Sequence, residues 1–205
     1  MTGTPCWAEL DVEDPEVAAA FYAAVLGWSA GGEVVADHQH RTLRSDDRAV
    51  GALGSPGVAA PPAWTLYLRV GIDGGGAVFG LWESDHDVPP PAPGRLCWAE
   101  AASAEPGTTR TFYRELLGWR WEEDGAGPGH LAGHGDDGPV AGLGLAGDAL
   151  LHWLPVFAVT DVDAAVAAAE GAGGQVVAPV AAGPRGRHAA LADPAGARFG
   201  VLEVG

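Results

Sequence analysis

The sequence predicts an α+β fold built from repeated units, each with one strand, one helix and then three more strands. The main observation is an internal repeat, in which Cys6–Glu9 and Phe21–Trp28 recur in large part as Cys97–Glu100 and Phe112–Trp119, each 91 positions later. The second observation is that apolar and polar residues alternate in the opening segment of each copy, and the third is that helix-start signals follow it. Two copies of one unit therefore account for much of the chain.

Local signals define the opening strand and helix of the unit. Trp7–Val12 alternates between apolar and polar residues, which is typical of a strand with one buried face. Asp14 is a preferred helix N-cap residue and Pro15 suits the first helical position, so a helix is predicted from there to about Leu26. Gly27 is the expected signal for the end of this helix.

Three short strands are predicted after the helix. Glycine-rich turns separate segments with strand character near residues 33–44 and 48–54. The same order of elements follows Trp98 and again follows Trp153. The repeated unit is therefore strand, helix and three strands.

A weaker repeat predicts a second, shortened unit in the first half of the chain. Trp64–Val70 and Gly76–Glu83 resemble Trp153–Val159 and Gly196–Glu203. The first pair spans 20 residues from start to end and the second spans 51, so the first half lacks 31 residues. The missing part corresponds to about 161–193, which is predicted to hold a helix and its following strands.

The linker between the two halves is predicted from its composition. Prolines at 89–91 and at Pro93, followed by Gly94, indicate a boundary between two domains. We expect a first domain at residues 1–88, with a truncated second unit, and a complete second domain at residues 94–205.

Charge and composition narrow the classes of partner. The chain has a formal net charge of −16 and contains eleven arginines and no lysine, which argues against binding to nucleic acid or to an anionic membrane. It begins without a secretory signal pattern and has no apolar run of transmembrane length, so we expect a cytoplasmic protein. Two cysteines are too few for a disulfide framework. The expected partner is a small molecule, with a homodimer as a further possibility.

Several of these motifs resemble one known family. The opening strand, the acid at the helix start, the Phe21-Tyr22 pair and the Leu26-Gly27-Trp28 helix end are similar to the vicinal-oxygen-chelate superfamily, and so is the segment Asp193–Phe199. This superfamily includes glyoxalases, bleomycin-resistance proteins and dioxygenases, and the tandem arrangement is similar to glyoxalase-like proteins common in actinobacteria. The resemblance implies paired βαβββ modules whose sheets form a cup, with a metal bound by His or Glu on the first and last strands.

The metal-ligand positions that the resemblance implies carry other residues. The first-strand position is Trp7 in one repeat and Trp98 in the other, and the later modules have Thr65 and Leu154 there. The last-strand positions fall at small residues, namely Gly51, Gly80, Ala141 and Gly200. Because none of these side chains binds divalent ions, we expect no metal and no cofactor. A shift of the alignment by one or two residues would bring Glu9, Glu100, His152 or Glu203 closer to these positions.

Two glutamates are candidate catalytic residues. Alternate residues of a strand share a face, so Glu9 lies with Trp7 and Glu100 lies with Trp98. If the tryptophans line the cup, each glutamate is a carboxyl group in a partly apolar cavity and is a candidate general acid or base. The alternative for Glu9 is a salt bridge to Arg69 on a neighbouring strand.

The remaining candidates would line the cup or assist the acid. Trp98 and Trp7 would stack on a flat ligand, although core packing is the competing explanation for each. His152 is a third catalytic candidate. The other predicted ligand-binding residues come from the facing strands and a late loop: Tyr67, Arg69, Leu154, Val156 and Arg187. Arg185 precedes Arg187 in the same loop and shares its two explanations, contact with an anionic ligand or simple solvation.

The histidines suggest a second, weaker pattern. His38 and His40 alternate on one strand, and His40 aligns with His130 at an offset of 90. The pair does not recur, because Pro128 replaces His38 in the second repeat. Two histidines alone make a weak metal site, and solvent-exposed strand residues are the simpler explanation.

Three hypotheses about function follow. The leading one is metal-independent binding of a small hydrophobic or aromatic molecule, as in the sequestration of a drug or metabolite. The alternative is an enzyme of specialised metabolism, an isomerase, cyclase or hydrolase that uses Glu100 or Glu9 as acid and base with His152 or Tyr113 assisting. The third is that the shortened first domain exposes a sheet edge for assembly. Fold alone does not decide between them.

Overall fold

The computed structural model describes most of the chain in two β-sheets with three helices. The residues it describes are 3–34, 40–55, 61–69, 80–82, 90–136, 138–145 and 152–205. The predicted α+β class is confirmed.

The first sheet contains six strands and is followed in sequence by the second. Its helix, α1, spans Pro15–Leu26. Its strands are β1 Thr4–Asp11, β2 Ser29–Val34, β3 Arg41–Ser45, β4 Arg48–Gly54, β5 Ala63–Arg69 and β6 Gly80–Trp82. They lie in the order β2-β3-β4-β1-β5-β6, with β1 parallel to β4 and antiparallel to β5.

The second sheet contains eight strands and two helices. The helices are α2 Pro106–Leu117 and α3 Val162–Gly171. The strands are β7 Leu96–Ser103, β8 Arg120–Glu123, β9 Leu131–Gly135, β10 Gly138–Leu145, β11 His152–Val159, β12 Gln175–Gly183, β13 Gly186–Ala192 and β14 Arg198–Glu203. Their order is β12-β13-β14-β11-β7-β10-β9-β8, so two four-stranded units meet where β7 pairs with β11.

The helix ends follow the predicted signals. The carboxylate of Asp14 accepts hydrogen bonds from the backbone N–H groups of Glu16 and Val17, and Pro15 occupies the first turn of α1. Gly27 ends α1 in the left-handed conformation with φ 69°, and Gly118 ends α2 with φ 73°. Glycine is favoured there because a side chain would be strained at positive φ.

The weaker sequence repeat is visible in the strand pairing. β5 pairs in parallel with β6 through Tyr67 and Gly80, and β11 pairs in parallel with β14 through Val156 and Gly200. Tyr67 and Val156 lie at equivalent positions of the repeat, as do the two glycines. Strand β6 therefore corresponds to β14.

Each sheet packs one face against helices, and the core residues identify that face. Tyr113 and Leu117 of α2 pack with Ala99 and Ala101 of β7. The opposite face of the second sheet, here called the open face, carries a separate apolar cluster of Trp98, Ala132, Val156 and Leu202. Because strand residues alternate, Glu100 shares the open face with Trp98.

The two halves of the chain pack on each other through α1 and the last unit. Phe21 and Tyr22 of α1 make edge-to-face contacts with Phe199, with ring centroids 6.0 and 5.3 Å apart. The Tyr22 hydroxyl also donates to Asp193 over 3.1 Å. These contacts hold the first half of the chain against the helix-packed face of the second sheet. No described helix has both the length and the apolar character that a membrane crossing requires.

Candidate functional site

Trp98 lies near the centre of the open face, in β7. Its side chain is only 6% exposed and packs against the apolar cluster of that face. Its indole N–H donates to Glu100 Oε1 over 2.7 Å. The guanidinium carbon of Arg185 lies 3.7 Å from the centre of its ring, a close cation–π contact.

Glu100 continues this arrangement into a chain of charged groups. Its Oε2 lies 3.0 Å from His130 Nε2, and His130 Nδ1 lies 2.8 Å from Asp124 Oδ1. Asp124 Oδ2 accepts a hydrogen bond from Arg185 Nη2 over 2.6 Å. With the contact between Arg185 and Trp98, the five side chains form a closed circuit, here called the second-sheet site.

Different units supply the members of this site. Trp98 and Glu100 come from β7, while Asp124 and His130 flank the turn between β8 and β9. Arg185 comes from the tight turn between β12 and β13. The pair of Asp124 and Arg185 therefore joins loops from the two units across the open face.

Hydrogen bonding sets the charges of the site. The hydrogen bond to Glu100 raises the pKa of His130, burial opposes this, and the contacts with Asp124 add to it. Burial also acts to raise the pKa of Asp124, but the hydrogen bonds from the Ala126 N–H, Arg185 and His130 outweigh it and lower that pKa to about 2. The site thus favours an imidazolium and a guanidinium balanced by carboxylates.

A glycine makes room for the Glu100 carboxylate. Gly142 of β10 pairs directly with Glu100, and a Cβ built on Gly142 would collide with both carboxylate oxygens. The equivalent residue of the first repeat is Ala52, which pairs with Glu9. The absence of a side chain at 142 is therefore a local requirement for the position of Glu100.

The first sheet holds the equivalent groups differently. Glu9 accepts hydrogen bonds from the Trp7 indole N–H over 3.0 Å and from the Tyr67 hydroxyl over 2.6 Å. His40 instead contacts Asp11, with 3.0 Å between Nε2 and Oδ1. These five side chains are here called the first-sheet site.

Three differences between the repeats explain the change of partner. Asp11 is replaced by Ala102, so His130 has no carboxylate at that position. Tyr67 is replaced by Val156, which removes the hydroxyl that holds Glu9. Together with the glycine at 142, these replacements free the glutamate of the second repeat to turn toward the histidine.

The structure places the other predicted site residues in several locations. Leu154 and Val156 pair with Glu100 and Trp98 across the antiparallel β7–β11 ladder, on the open face. Arg69 lies two residues after Tyr67 on the same face of β5. The side chains of His152 and His38 lie outside the described part of the structure.

Arg187 and Tyr113 are on the helix side of the second sheet. Arg187 donates to Asp163 of α3 over 2.7 Å and to Glu203 over 3.3 Å. Successive residues of a strand face opposite sides of the sheet, and Arg187 is on the side opposite the open face. In the structure, Arg187 thus forms ion pairs with Asp163 of α3 and Glu203 of β14. The buried Tyr113 hydroxyl accepts a hydrogen bond from Trp153 over 3.0 Å, which places it away from Glu100.

Three members of the second-sheet site carried little signal in the sequence. His130 was visible only as the partner of His40 in the repeat, and Arg185 shared with Arg187 the two explanations of contact with an anionic ligand or solvation. Asp124 lies at the start of a glycine-rich turn, and its alignment with Glu33 at an offset of 91 is the only trace of it in the repeat. The contacts among these residues depend on loop conformation, and the spacing of apolar and polar residues in the sequence does not predict loop conformation.

The donor atoms of the second-sheet site do not fit the metal centre that the resemblance implies. Trp98 presents an N–H that already donates, and both ring nitrogens of His130 contact carboxylates. Within the described residues, no group of three or more His, Cys, Asp and Glu side chains is arranged to hold a metal ion. Burial raises the pKa of Cys97 to about 12, which opposes the thiolate form that metals bind.

Comparison with known proteins gives consistent matches. The glyoxalase-like domain family matches residues 98–202. The chain is 31% identical to the anthracycline biosynthesis protein DauV of Streptomyces sp. strain C5, over 98% of this chain and 94% of the relative. It is 30% identical to the putative glyoxylase CFP32 of Mycobacterium tuberculosis, over 98% and 95%. The first alignment spans 259 positions, so that relative contains segments that this chain of 205 residues lacks.

Solved structures share the fold at low identity. A Mn(II)-bound glyoxalase from Novosphingobium aromaticivorans matches with a TM-score of 0.61 and 13% identity, over 98% of this chain and 84% of the other. The 2,2′,3-trihydroxybiphenyl 1,2-dioxygenase of Sphingomonas wittichii strain RW1 matches with a TM-score of 0.66 and 13% identity, over 100% and 91%.

Proposed function

The chain belongs to the glyoxalase-like family of the vicinal-oxygen-chelate superfamily, and we propose that it binds a small aromatic or hydrophobic molecule at the second-sheet site without a metal ion. The residues that would touch the molecule are Trp98, Leu154 and Val156. The biological role would be sequestration of a drug or metabolite.

The observation that carries this proposal is the set of groups that contact the Trp98 ring. The ring is held on the open face by its hydrogen bond to Glu100 and by an apolar cluster, and a single arginine covers it. A flat aromatic surface with a few polar groups around it is typical of sites for planar ligands. The name of the relative DauV, an anthracycline biosynthesis protein, also supports a small-molecule role.

The side chains of the second-sheet site support binding without a metal ion. A first-strand ligand position held by tryptophan supplies no lone pair to a cation. The only imidazole of the site is engaged on both sides by carboxylates. Binding would therefore depend on stacking and hydrogen bonds.

The test uses anthraquinone-2-carboxamide, a planar neutral probe, and measures its dissociation constant by calorimetry. We expect Trp98→Ala to weaken binding by about tenfold or more, because the stacking surface is lost. Trp98→Phe retains an aromatic ring and should lose less, and Trp7→Ala on the other sheet is the matched control. Unchanged affinity in a folded Trp98→Ala protein would contradict the proposal.

A second candidate function rests on the contact between Glu100 and His130. A carboxylate bonded to an imidazole whose other nitrogen meets Asp124 is an arrangement suited to proton transfer. Such an enzyme would be an isomerase, cyclase or hydrolase, with His130 in the assisting role that was assigned to His152. Glu100→Gln separates the two candidates, since it should abolish turnover of a substrate but leave the affinity for a stacked ligand nearly unchanged.

A further inference from the structure

We propose that Arg185 is the ligand-recognising cation of the second-sheet site, and that the ligand is a planar aromatic molecule carrying an anionic oxygen, such as a carboxylate or phenolate. The ligand would take the place of Arg185 over Trp98 and accept a hydrogen bond from its guanidinium. This inference rests on the function proposed above and adds the chemical class of the ligand.

The first step of the argument is the position of Arg185. Its guanidinium carbon is 3.7 Å from the centre of the Trp98 ring, which is van der Waals contact. No other group fits between them, and the ring, packed against the apolar cluster and covered by Arg185, is almost fully buried. A planar ligand therefore stacks directly on Trp98 only if Arg185 moves aside.

The second step concerns what holds Arg185 in this position. The residue lies in a two-residue turn between β12 and β13, which fixes its backbone. Among the residues that the structure describes, one hydrogen bond, to Asp124, holds its side chain, which is 23% exposed. A long side chain with one anchor and access to solvent can change rotamer without any change in the sheet.

The third step is the unused hydrogen-bonding capacity of the site. A guanidinium has five N–H donors, and one of them is used by Arg185 within the described structure. Both carboxylates of the site already have cationic or N–H partners, since Asp124 contacts His130 and Arg185, and Glu100 contacts His130 and Trp98. The capacity that remains is for an acceptor, and an anionic oxygen makes the strongest bond to a guanidinium.

The fourth step is the local charge. The chain as a whole carries a formal charge of −16, which disfavours anionic ligands at long range. In the second-sheet site, Arg185 pairs with Asp124, and His130, whose pKa is raised, contacts the carboxylates of both Glu100 and Asp124. An anion reaching Arg185 therefore meets a site in which cationic groups offset the carboxylates.

The experiment compares three probes of the same shape. Anthraquinone-2-carboxylate, anthraquinone-2-carboxamide and 2-(aminomethyl)anthraquinone are anionic, neutral and cationic at pH 7, and calorimetry gives the dissociation constant of each. We expect the native protein to bind the carboxylate about tenfold or more tightly than the carboxamide, as a charge-assisted hydrogen bond provides. The cationic probe should bind most weakly.

Variants assign the preference to Arg185. Arg185→Met should bring the dissociation constants of the carboxylate and the carboxamide within about twofold of each other, because the guanidinium that distinguishes the two probes is lost. Arg187→Met, two residues away on the other side of the same hairpin, is the matched control and should keep the native preference. Arg185→Lys retains the charge without the planar fork and should keep part of the preference.

The outcomes separate this inference from the function on which it rests. If the native protein binds all three probes alike or prefers the cationic one, or if Arg185→Met keeps the preference for the carboxylate, the inference is wrong and the proposed binding site stands. If none of the probes binds the native protein at millimolar concentration, both proposals are wrong.

Discussion

The Glu100 carboxylate lies directly over the backbone of Gly142, in space that any other residue at 142 would fill with its Cβ. Glu100 reaches His130 from this position. The equivalent glutamate of the first repeat faces Ala52 and is bound to Trp7 and Tyr67 instead. The missing methyl group at 142 is therefore one of three replacements that distinguish two sites sharing a glutamate, a tryptophan and a histidine.

The first prediction tests this relationship with two glycine variants on one strand. Gly142→Ala should displace the Glu100 carboxylate and break its contact with His130, so the pKa of His130 should fall toward the ordinary value. Gly144→Ala is the matched control, because a Cβ there meets His130 Cδ2 at 3.5 Å, an ordinary van der Waals contact. Titration of the His130 ring protons by NMR measures both. An unchanged pKa in Gly142→Ala would show that the glutamate reaches the histidine by another path.

The fold could be predicted well from the sequence, because repeats and regular spacings of apolar residues identify its strands and helices. The repeat, the alternating strands and the helix-end signals at Asp14 and Gly27 all depend on local residue patterns, and the structure reproduces them. The pairing of Trp98 with Glu100 on one face also follows from strand alternation, and it is observed.

The rest of the site could not be predicted, because it depends on where loops place side chains. Asp124 and Arg185 are 61 residues apart in sequence and meet only because two units join at β7 and β11. Arg185 and Arg187 were indistinguishable in the sequence, and the tight turn between β12 and β13 sends them to opposite faces of the sheet.

The second prediction concerns Asp124 and acid. Because its folded-state pKa is about 2, below its ordinary value of 3.8, its ionised form stabilises the fold above about pH 4, and this contribution is lost as the pH falls through about 2. Asp124→Asn should therefore lower the free energy of unfolding at pH 5 and have a smaller effect at pH 2. Urea unfolding of both proteins at the two pH values provides the measurement. An equal difference at both pH values would mean that the carboxylate charge contributes nothing.

The third prediction concerns His130 and alkali. Its folded-state pKa is raised above the ordinary 6.5, so the stabilisation from its protonated form is fully present below that value and is lost as the pH rises through the raised pKa. His130→Gln should therefore reduce the free energy of unfolding more at pH 5.5 than at pH 9. His188, an exposed residue of β13 whose ring contacts the Gly186 carbonyl, provides the control substitution to Gln. A larger effect of His130→Gln at pH 9 would contradict the assignment of charge.

The fourth prediction concerns divalent metals. Trp98 occupies the first-strand ligand position, the imidazole of the site is engaged on both sides, and the described part of the chain holds no group of three or more metal-binding side chains. We therefore expect purified protein to contain far less than one equivalent of divalent metal. Elemental analysis after purification without chelator measures this, and dialysis against chelator should leave the melting temperature unchanged. A stoichiometric metal that chelator removes with a loss of stability would overturn the metal-independent proposal.

The last prediction converts the first-sheet site into the second. If Asp11, Ala52 and Tyr67 account for the difference between the repeats, then the triple variant Asp11→Ala, Ala52→Gly, Tyr67→Val should turn Glu9 toward His40. The loss of Asp11 removes the present partner of His40, and the other two changes free the carboxylate of Glu9 and make room for it.

A crystal structure of the triple variant would show the result as a hydrogen bond between the Glu9 carboxylate and a ring nitrogen of His40. The variant Tyr67→Val alone is the control, because Ala52 would still obstruct the carboxylate and Asp11 would still hold the histidine. Tyr67→Val should therefore leave the contact between His40 and Asp11 intact. If Glu9 stays bound to Trp7 in the triple variant, the contact in the second sheet must depend on more than these three positions, and Asp124, which holds the far side of His130, is the next residue to transfer.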